Sequence, residues 1–355
     1  MLDFLKENIT VWERLKTADK PIALYGMGDG ADKILAVFER FGIKTDAIFA
    51  SDEFVRDHFF HGFKVEKLSE VKARLNEFII VVCFATQRQE VLERIFSLDD
   101  TFELVAPDVP VAGEGLFDLD FVKEHEQEIK KVYDSLKDDI SKQVFADTIN
   151  FKISGKIKYL KNNVSKREEI YRDLLNPTEH EHFVDLGAYN GDTVREFLLS
   201  CDNKYNEITA FEPDRRNYKK LAQFCEGKEN INAYNLGAHS HEDVLIFADR
   251  GGRNSSLYKK GREVEVKVNS VDNVCKTPPT IIKFDVEGAE LSAIKGCENT
   301  IKTHRPKLLI ASYHRNEDIF KIPLQIMKLN PNYKIYFRRE AYIPAWETNF
   351  IFKEK

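Results

Sequence analysis

The chain has no long apolar run, no paired-cysteine motif and no surplus of positive charge, and each absence removes a class of protein. Spanning a bilayer takes about 20 apolar residues in a helix, and no stretch here supplies them. The five cysteines, Cys83, Cys201, Cys225, Cys275 and Cys297, are far apart and include no CxxC pair, so neither a zinc knuckle nor a disulfide framework is expected. A formal charge of −6 provides no basic field for neutralising nucleic-acid phosphates. His180 with His182, and His239 with His241, lack a third convincing ligand, so no metal is expected. The N-terminal stretch MLDFLKENITVWERLK mixes charges into its apolar residues, which excludes a signal-peptide core and predicts an amphipathic helix. These exclusions leave a reduced, cytoplasmic protein whose partner is a small-molecule or carbohydrate acceptor, with self-association left open.

What is present is apolar and aromatic. Hydrophobic residues make up 43% of the chain, with 26 Phe and 13 Tyr, enough to build cores. From Pro21 short apolar runs (IALYGM, TDAIFASD, FIIVVCF) alternate with the helical patterns ADKILAVFERF and TQRQEVLERIF, the βα rhythm of a parallel sheet. From about Gly113 to Pro177 the sequence turns to charged, helical-period residues, with Leu119, Val122, Ile129, Val132, Leu136, Ile140 and Val144 as core-facing positions. This segment reads as a solvated helical connector or a cap. The βα rhythm resumes at His182 with seven candidate strands, HFVDLGA, EITAFEP, INAYNLGA, TIIKFDVEG, KLLIASYH, YKIYFRR and TNFIFK. Alternation in DVLIFAD and GREVEVKVNSV adds an antiparallel hairpin before the fourth. The expected fold class is α/β, divided into a small Rossmann-like domain (1–112), the connector (113–177) and a larger sheet domain (178–355).

In FVDLGAYNGDT (183–193) an apolar strand carries Asp185 into a turn at Gly187 and Ala188, after which Asn190, Gly191, Asp192 and Thr193 open a helix. Glycine there permits a close backbone approach that a side chain would forbid. A phosphate-binding turn keeps its helix N–H groups free for an anion, whereas Asp185 and Asp192 place carboxylates in that position. Those charges favour a cationic ligand, such as the amino group and sulfonium of S-adenosylmethionine. About twenty residues further on, Glu212 and Pro213 end the second strand, where an acid accepts hydrogen bonds from both ribose hydroxyls. Either feature alone also has a purely structural explanation; the pair is more specific. The third strand ends in Asn235, Leu236, Gly237 and Ala238, the seat for an adenine ring or an ordinary turn.

The fourth strand ends in IIKFDVEGAE, with Lys283 and Asp285 on one face and Phe284 on the other. Lys283 is either catalytic or the partner of Asp285 in a partly buried ion pair. Methyl transfer needs the acceptor lone pair in line behind the methyl group, and a hydroxyl acceptor also needs a base. His314, Glu287 and Asp285 fall on the ligand-binding edge of the sheet and are the catalytic candidates. His314 reads equally as a structural histidine, and Glu287 as a cap for the helix opening near Ala289.

Taken in order, FVDLGAYNGDT, FEPD, NLGAHS, IIKFDVEGAELSAIKGCENTI and RPKLLIASYHR resemble the FkbM-type methyltransferases over about 183–353. The resemblance implies a seven-stranded Rossmann-like sheet, S-adenosylmethionine as donor, and O-methylation of sugars or polyketide-type acceptors. It further implies that Asp185, Gly187, Asn190, Gly191 and Thr193 hold the amino-acid end of the donor, Glu212 the ribose and Asn235–Ala238 the adenine side. Residues 138–160 look like a segment that precedes this domain in related bacterial proteins. In the N-terminal half, ALYGMGDGADKI places Gly26, Gly28 and Gly30 between strand and helix, with Asp52 downstream. It resembles small Rossmann-like domains that accompany sugar-modifying enzymes. Two rival readings follow, a non-catalytic donor-binding module of a glycan-synthesis complex and an NAD-dependent sugar-modifying N-terminal half.

Overall fold

The computed structural model describes residues 2–248 and 263–354. In the N-terminal part, β1 (Ile22–Tyr25), β2 (Ala47–Ala50), β3 (Phe59–Phe60), β4 (Phe63–Lys67), β5 (Ile79–Val82) and β6 (Leu104–Val105) form one sheet in the order β3-β4-β2-β1-β5-β6. Every pairing is parallel except β3 with β4. β1, β2 and β5 are buried at every position, which is why their apolar runs show no alternation. The edge strands β3 and β6, and β4 beside β3, are not announced by the sequence, being very short or charged. Around the sheet lie α1 (Val11–Lys16), α2 (Asp29–Phe41), α3 (Leu68–Leu75) and α4 (Gln89–Asp99). The predicted N-terminal helix begins only at Val11, because the Thr10 and Glu13 side chains form a capping box there. Ahead of it, Leu2, Phe4 and Leu5 cross over into the core of the other half.

The segment expected to be a solvated connector or a cap is interior in part, along its last helix. It forms α5 (Leu119–Glu124), α6 (Glu126–Ser135) and α7 (Asp139–Ser154). Val122, Ile129, Val132, Leu136 and Val144 are buried as their spacing predicts, whereas Ile140 is exposed. Helix α7 is buried on nearly every side beyond Val144, so its amphipathic signal is lost. Phe145 and Ile153 join the C-terminal core while Phe151 joins the N-terminal one. Its polar residues are paired: Lys152 Nζ lies 2.5 Å from the buried Asp108, and Asn150 Oδ1 accepts from Lys6 N at 2.7 Å. A short helix, α8 (Arg167–Glu169), then runs into a π-type turn at Ile170–Leu175.

The C-terminal sheet contains β7 (His182–Leu186), β8 (Glu207–Phe211) and β9 (Ile231–Tyr234), with β10 (Gly237–Ala238), β11 (Asp243–Ala248) and β12 (Glu263–Asn269) forming a separate small sheet. Next come β13 (Ile281–Phe284), β14 (Lys307–Ala311), β15 (Lys334–Arg339) and β16 (Thr348–Lys353). The main sheet is ordered β15-β16-β14-β13-β7-β8-β9, with β16 antiparallel to both neighbours. All seven predicted strands are present. The third is shorter than expected, because Gly237 and Ala238 leave the main sheet to pair with β12. The predicted hairpin is β11 with β12; its connecting residues, including Asp249, Gly261 and Arg262 of the sequence pattern, lie outside the described residues. Helices α9 (Asp192–Ser200), α10 (Arg215–Cys225), α11 (Val271–Val274), α12 (Glu290–Lys295), α13 (Glu298–His304) and α14 (Asp318–Leu329) complete the layers. Among the described residues no helix is long and apolar enough to cross a membrane.

Candidate active site

Strand order reverses between β7 and β13, and ligands of open α/β sheets bind outside the carboxyl ends of strands at such a point. Four chain segments meet there: the turn after β7, Glu212 after β8, the Asp285–Glu290 loop after β13, and Ser312–His314 after β14.

The turn after β7 is set by its glycines. Gly187 has φ +88°, and a Cβ there would collide with the carbonyl oxygen of Asp285; Gly191, also at +88°, would place one 2.7 Å from the Phe224 ring. The close approach foreseen at Gly187 is therefore made by the neighbouring strand end. Tyr189 takes a left-handed conformation (φ +47°) that turns its N–H toward Glu212 Oε2 at 2.8 Å. Glu212 Oε1 accepts from Asp214 N at 2.8 Å, so both carboxylate oxygens are anchored and each keeps a lone pair. Burial pushes Glu212 up to about 7 against those two hydrogen bonds. The carbonyl side of that strand end is held by Asn235, whose side-chain amide donates to Glu212 O at 2.9 Å and Pro213 O at 3.0 Å. Asn190 Oδ1 is buried and has no hydrogen-bond partner among the described residues.

Asp185 is paired inside the protein. It is fully buried, accepts from the Thr193 hydroxyl, and lies 3.3 Å from Lys283 Nζ. Lys283 faces it because the two residues are in register across β7 and β13. The ammonium also lies 3.6 Å from Asp285 Oδ2, so the predicted ion pair with Asp285 is present and a second carboxylate shares it. Burial works against the charge on Lys283, but Asp185 and Asp285 outweigh it and hold its pKa at about 12. Asp192 is exposed and bonds only its neighbour's backbone, Thr193 N, at 2.9 Å. Ala188 is buried, and its N–H donates to Phe211 O at 2.9 Å.

On the β14 side His314 is 1% exposed and ringed by carboxylates. Glu290 Oε1 lies 2.9 Å from Nδ1, while Asp285 Oδ1 and Glu287 Oε2 lie 3.5 and 3.6 Å from Nε2. Burial disfavours the imidazolium, yet these neighbours, Glu290 foremost, raise the pKa to about 9. Asp285 is held below the usual carboxylate range, its burial being outweighed by Lys283 and His314. The sequence reading missed Glu290, which is fully buried. Its Oε1 accepts from Val286 N at 3.0 Å and Gly288 N at 3.3 Å, and so it ties the loop leading into the helix that Glu287 was expected to cap. Glu287 instead sits in a left-handed conformation (φ +53°) with its side chain 80% exposed. A Glu five positions after the strand-end Asp285, at the start of a helix, was the available signal. Also missed was Arg167, from the segment preceding the sheet, which binds Glu340 at 2.8 Å and Glu347 at 2.9 Å behind Lys283.

Two of the three glycines in the N-terminal turn have packing reasons. A Cβ on Gly30 would collide with Cys83 O, and one on Gly26 would lie 2.5 Å from the Phe84 ring. Asp52 is exposed in a short 3₁₀ turn.

The sequence matches the family described as Methyltransferase FkbM domain over residues 185–339. The crystal structure of the methyltransferase FkbM from Methylobacillus flagellatus KT is similar in fold, with a TM-score of 0.71 at 20% identity, covering 94% of this chain and 90% of that one. An rRNA methylase from Streptococcus thermophilus matches with a TM-score of 0.34 at 14% identity, over 52% of this chain and 92% of that one. No curated protein matches the sequence. Residues 185–339 thus form a methyltransferase FkbM domain, the domain of a family of enzymes that use S-adenosylmethionine.

Proposed function

We propose that the chain transfers a methyl group to a hydroxyl of a sugar, nucleotide sugar or glycan precursor, with His314 as the proton acceptor. The observation that carries this reading is the imidazole between Glu290 on Nδ1 and two carboxylates on Nε2, at the reversal of strand order. The donor, when bound, supplies an electrophilic methyl on a cationic sulfur. Asn190 Oδ1, an acceptor without a donor, suits its ammonium group, and the two anchored oxygens of Glu212 suit its ribose diol. Gly187, Ala188, Gly191 and Thr193 shape the turn, Asp185 positions it through Lys283 and Thr193, and Pro213, Asn235, Gly237 and Ala238 border the adenine side. Asp192 stands exposed at the mouth of α9.

The residues that would hold the donor follow β7 and β8, and those left for the acceptor follow β13 and β14. There Asp285 and Glu287 orient the acceptor hydroxyl, and His314 takes its proton while the buried Glu290 stabilises the imidazolium that forms. A base with a pKa of about 9 is strong but mostly protonated at neutral pH. The rate at subsaturating acceptor should therefore rise about tenfold per pH unit from 6 and level off near 9. The assay is release of S-adenosylhomocysteine with a panel of nucleotide sugars and methyl hexosides. His314→Asn should abolish turnover while leaving S-adenosylhomocysteine affinity unchanged. Turnover that stays flat across this pH range, or survives in the His314 variant, rules out this base; turnover only with phenols or amines rules out the hydroxylated-sugar acceptor. The rhythm and placement of the three segments support the proposed division at 112 and 177, with the middle segment as a structural layer of the sheet domain.

A further inference from the structure

The loop between β15 and β16 ends on the acceptor side of the site and carries two aromatic rings that the chemistry above leaves unused. Trp346 stacks on Tyr313, with centroids 6.3 Å apart and planes 21° from parallel, and Tyr342 leans on Trp346 at 5.8 Å. Tyr313 directly precedes His314, and its hydroxyl lies 3.5 Å from Asp285 Oδ1. All three rings are only half-buried. A row of part-exposed rings beside a set of carboxylates is costly to maintain unless something covers it.

The loop is held from the other half of the chain. Ile343 exchanges two backbone hydrogen bonds with Thr86, at 2.8 and 3.0 Å, just past the carboxyl end of β5. Ile343 and Ala345 are buried in the N-terminal core together with Tyr25 and Val82. A second tie runs from Ala112 N to His314 O at 2.8 Å, and Lys33 on α2 reaches the carbonyls of Pro110 and Val111 next to it. The carboxyl edge of the N-terminal sheet thus borders the carboxyl edge of the catalytic one.

We infer that Tyr313, Trp346 and Tyr342 form a stacking platform for the ring of a neutral sugar acceptor, and that the N-terminal half serves to hold this platform in place. The inference rests on the methyl-transfer reading. Three ligand chemistries stack on aromatic rings, and the surrounding charges choose among them. Asp285 and Glu287 are hydrogen-bond acceptors with room for several donors from the ligand; a polyol supplies them, a phenol supplies one. An ammonium ion would satisfy rings and carboxylates alike, but it would sit beside the cationic methyl donor and be repelled by it. A pyranose offers a C–H face to the indole and hydroxyls at its rim, with no charge.

Trp12 and Trp346 are the only tryptophans in the chain, so Trp12→Phe leaves Trp346 as the sole indole reporter. The full-length variant, saturated with S-adenosylhomocysteine, is titrated with methyl glycosides of glucose, mannose, galactose and fucose, and with phenol and tetramethylammonium for comparison. The expected result is a saturable change in Trp346 emission with at least one glycoside and none with the comparison ligands. Trp346→Leu should raise the KM for that glycoside roughly tenfold without changing S-adenosylhomocysteine affinity. Ile343→Ala, which loosens the anchor and touches no ligand, should raise it in the same direction. Bound S-adenosylhomocysteine with emission unmoved by every glycoside, or moved by phenol or tetramethylammonium instead, overturns the platform alone. Absence of S-adenosylhomocysteine binding removes the methyl-transfer reading and the platform with it.

Discussion

Glu212 offers a measurable consequence of burying a carboxylate where a ribose is expected. Burial lifts its pKa to about 7 in the unliganded protein, even though two backbone N–H groups favour the charged form. Two ribose hydroxyls would add two further donors to that charged form and bring the pKa back toward the ordinary value of about 4.3. The sign follows from linkage. Between about pH 4.3 and 7 the free protein holds a proton that the complex does not, so binding releases it and weakens as pH falls. Above about pH 7 both states are ionised and affinity is level. Each pH unit below 7 should cost about tenfold, or about 1.4 kcal/mol, so affinity at pH 5 should fall roughly a hundredfold below the plateau. Titration calorimetry of S-adenosylhomocysteine, in buffers of different ionisation enthalpy, reads both the affinity and the protons released. Glu212→Gln should bind weakly and lose the pH dependence. Wild-type affinity that is flat from pH 5 to 8, with no proton release, would refute the placement of the ribose on Glu212.

Two further expectations concern the frame around the site. Lys283→Met strands the fully buried Asp185 without its cation and should destabilise the fold by about 3–5 kcal/mol in urea unfolding; adding Asp185→Asn should restore most of that loss, and failure to do so would mean that the pair is not the coupled unit its 3.3 Å contact implies. Phe145→Ala in α7 should cost about 3–5 kcal/mol, and hydrogen exchange should show loss of protection in β15 and β16, against whose Phe337 and Phe350 rings it packs; protection lost in α7 alone would contradict its place in the core of the sheet.

The strands at the centre of the catalytic sheet, β7, β8, β13 and β14, were legible because buried parallel strands read as continuous apolar runs, and three of them run into Gly187, Glu212 and Asp285. The middle segment was misread for the complementary reason. Its charged residues suggest a solvated face, but Lys152 and Asn150 find buried partners that only the tertiary fold supplies. Gly187 was read as making room for a ligand, and the structure gives that space to the Asp285 carbonyl. Glycine marks a close approach, and the sequence does not say what approaches. Glu290 escaped notice because a glutamate in the first turn of a helix is ordinary. Its importance comes from a histidine that lies on a different strand of the sheet.

The case for a cationic donor survives the relocation of its charges. Asp185 shares the charge of Lys283, so the attraction expected of it is partly offset. With His314 in the neutral form that can accept a proton, the carboxylates of Asp185, Asp285, Glu287 and Glu290 face Lys283 as the cation, so negative charge is in excess. Such a field favours a sulfonium, but that positive charge disappears from the donor as the methyl leaves. A site that only bound the cation well would therefore hold the reactants more tightly than the transition state and slow the step. In the proposed reaction, moving the proton of an acceptor hydroxyl onto neutral His314 would remove that conflict. The positive charge lost from sulfur is replaced by one gained on the imidazole, within reach of the same carboxylates, so the local field acts almost equally before and after transfer. A hydroxyl acceptor and a buried, carboxylate-backed histidine are thus two halves of one electrostatic requirement. A histidine whose pKa lies well above neutrality is what that requirement selects.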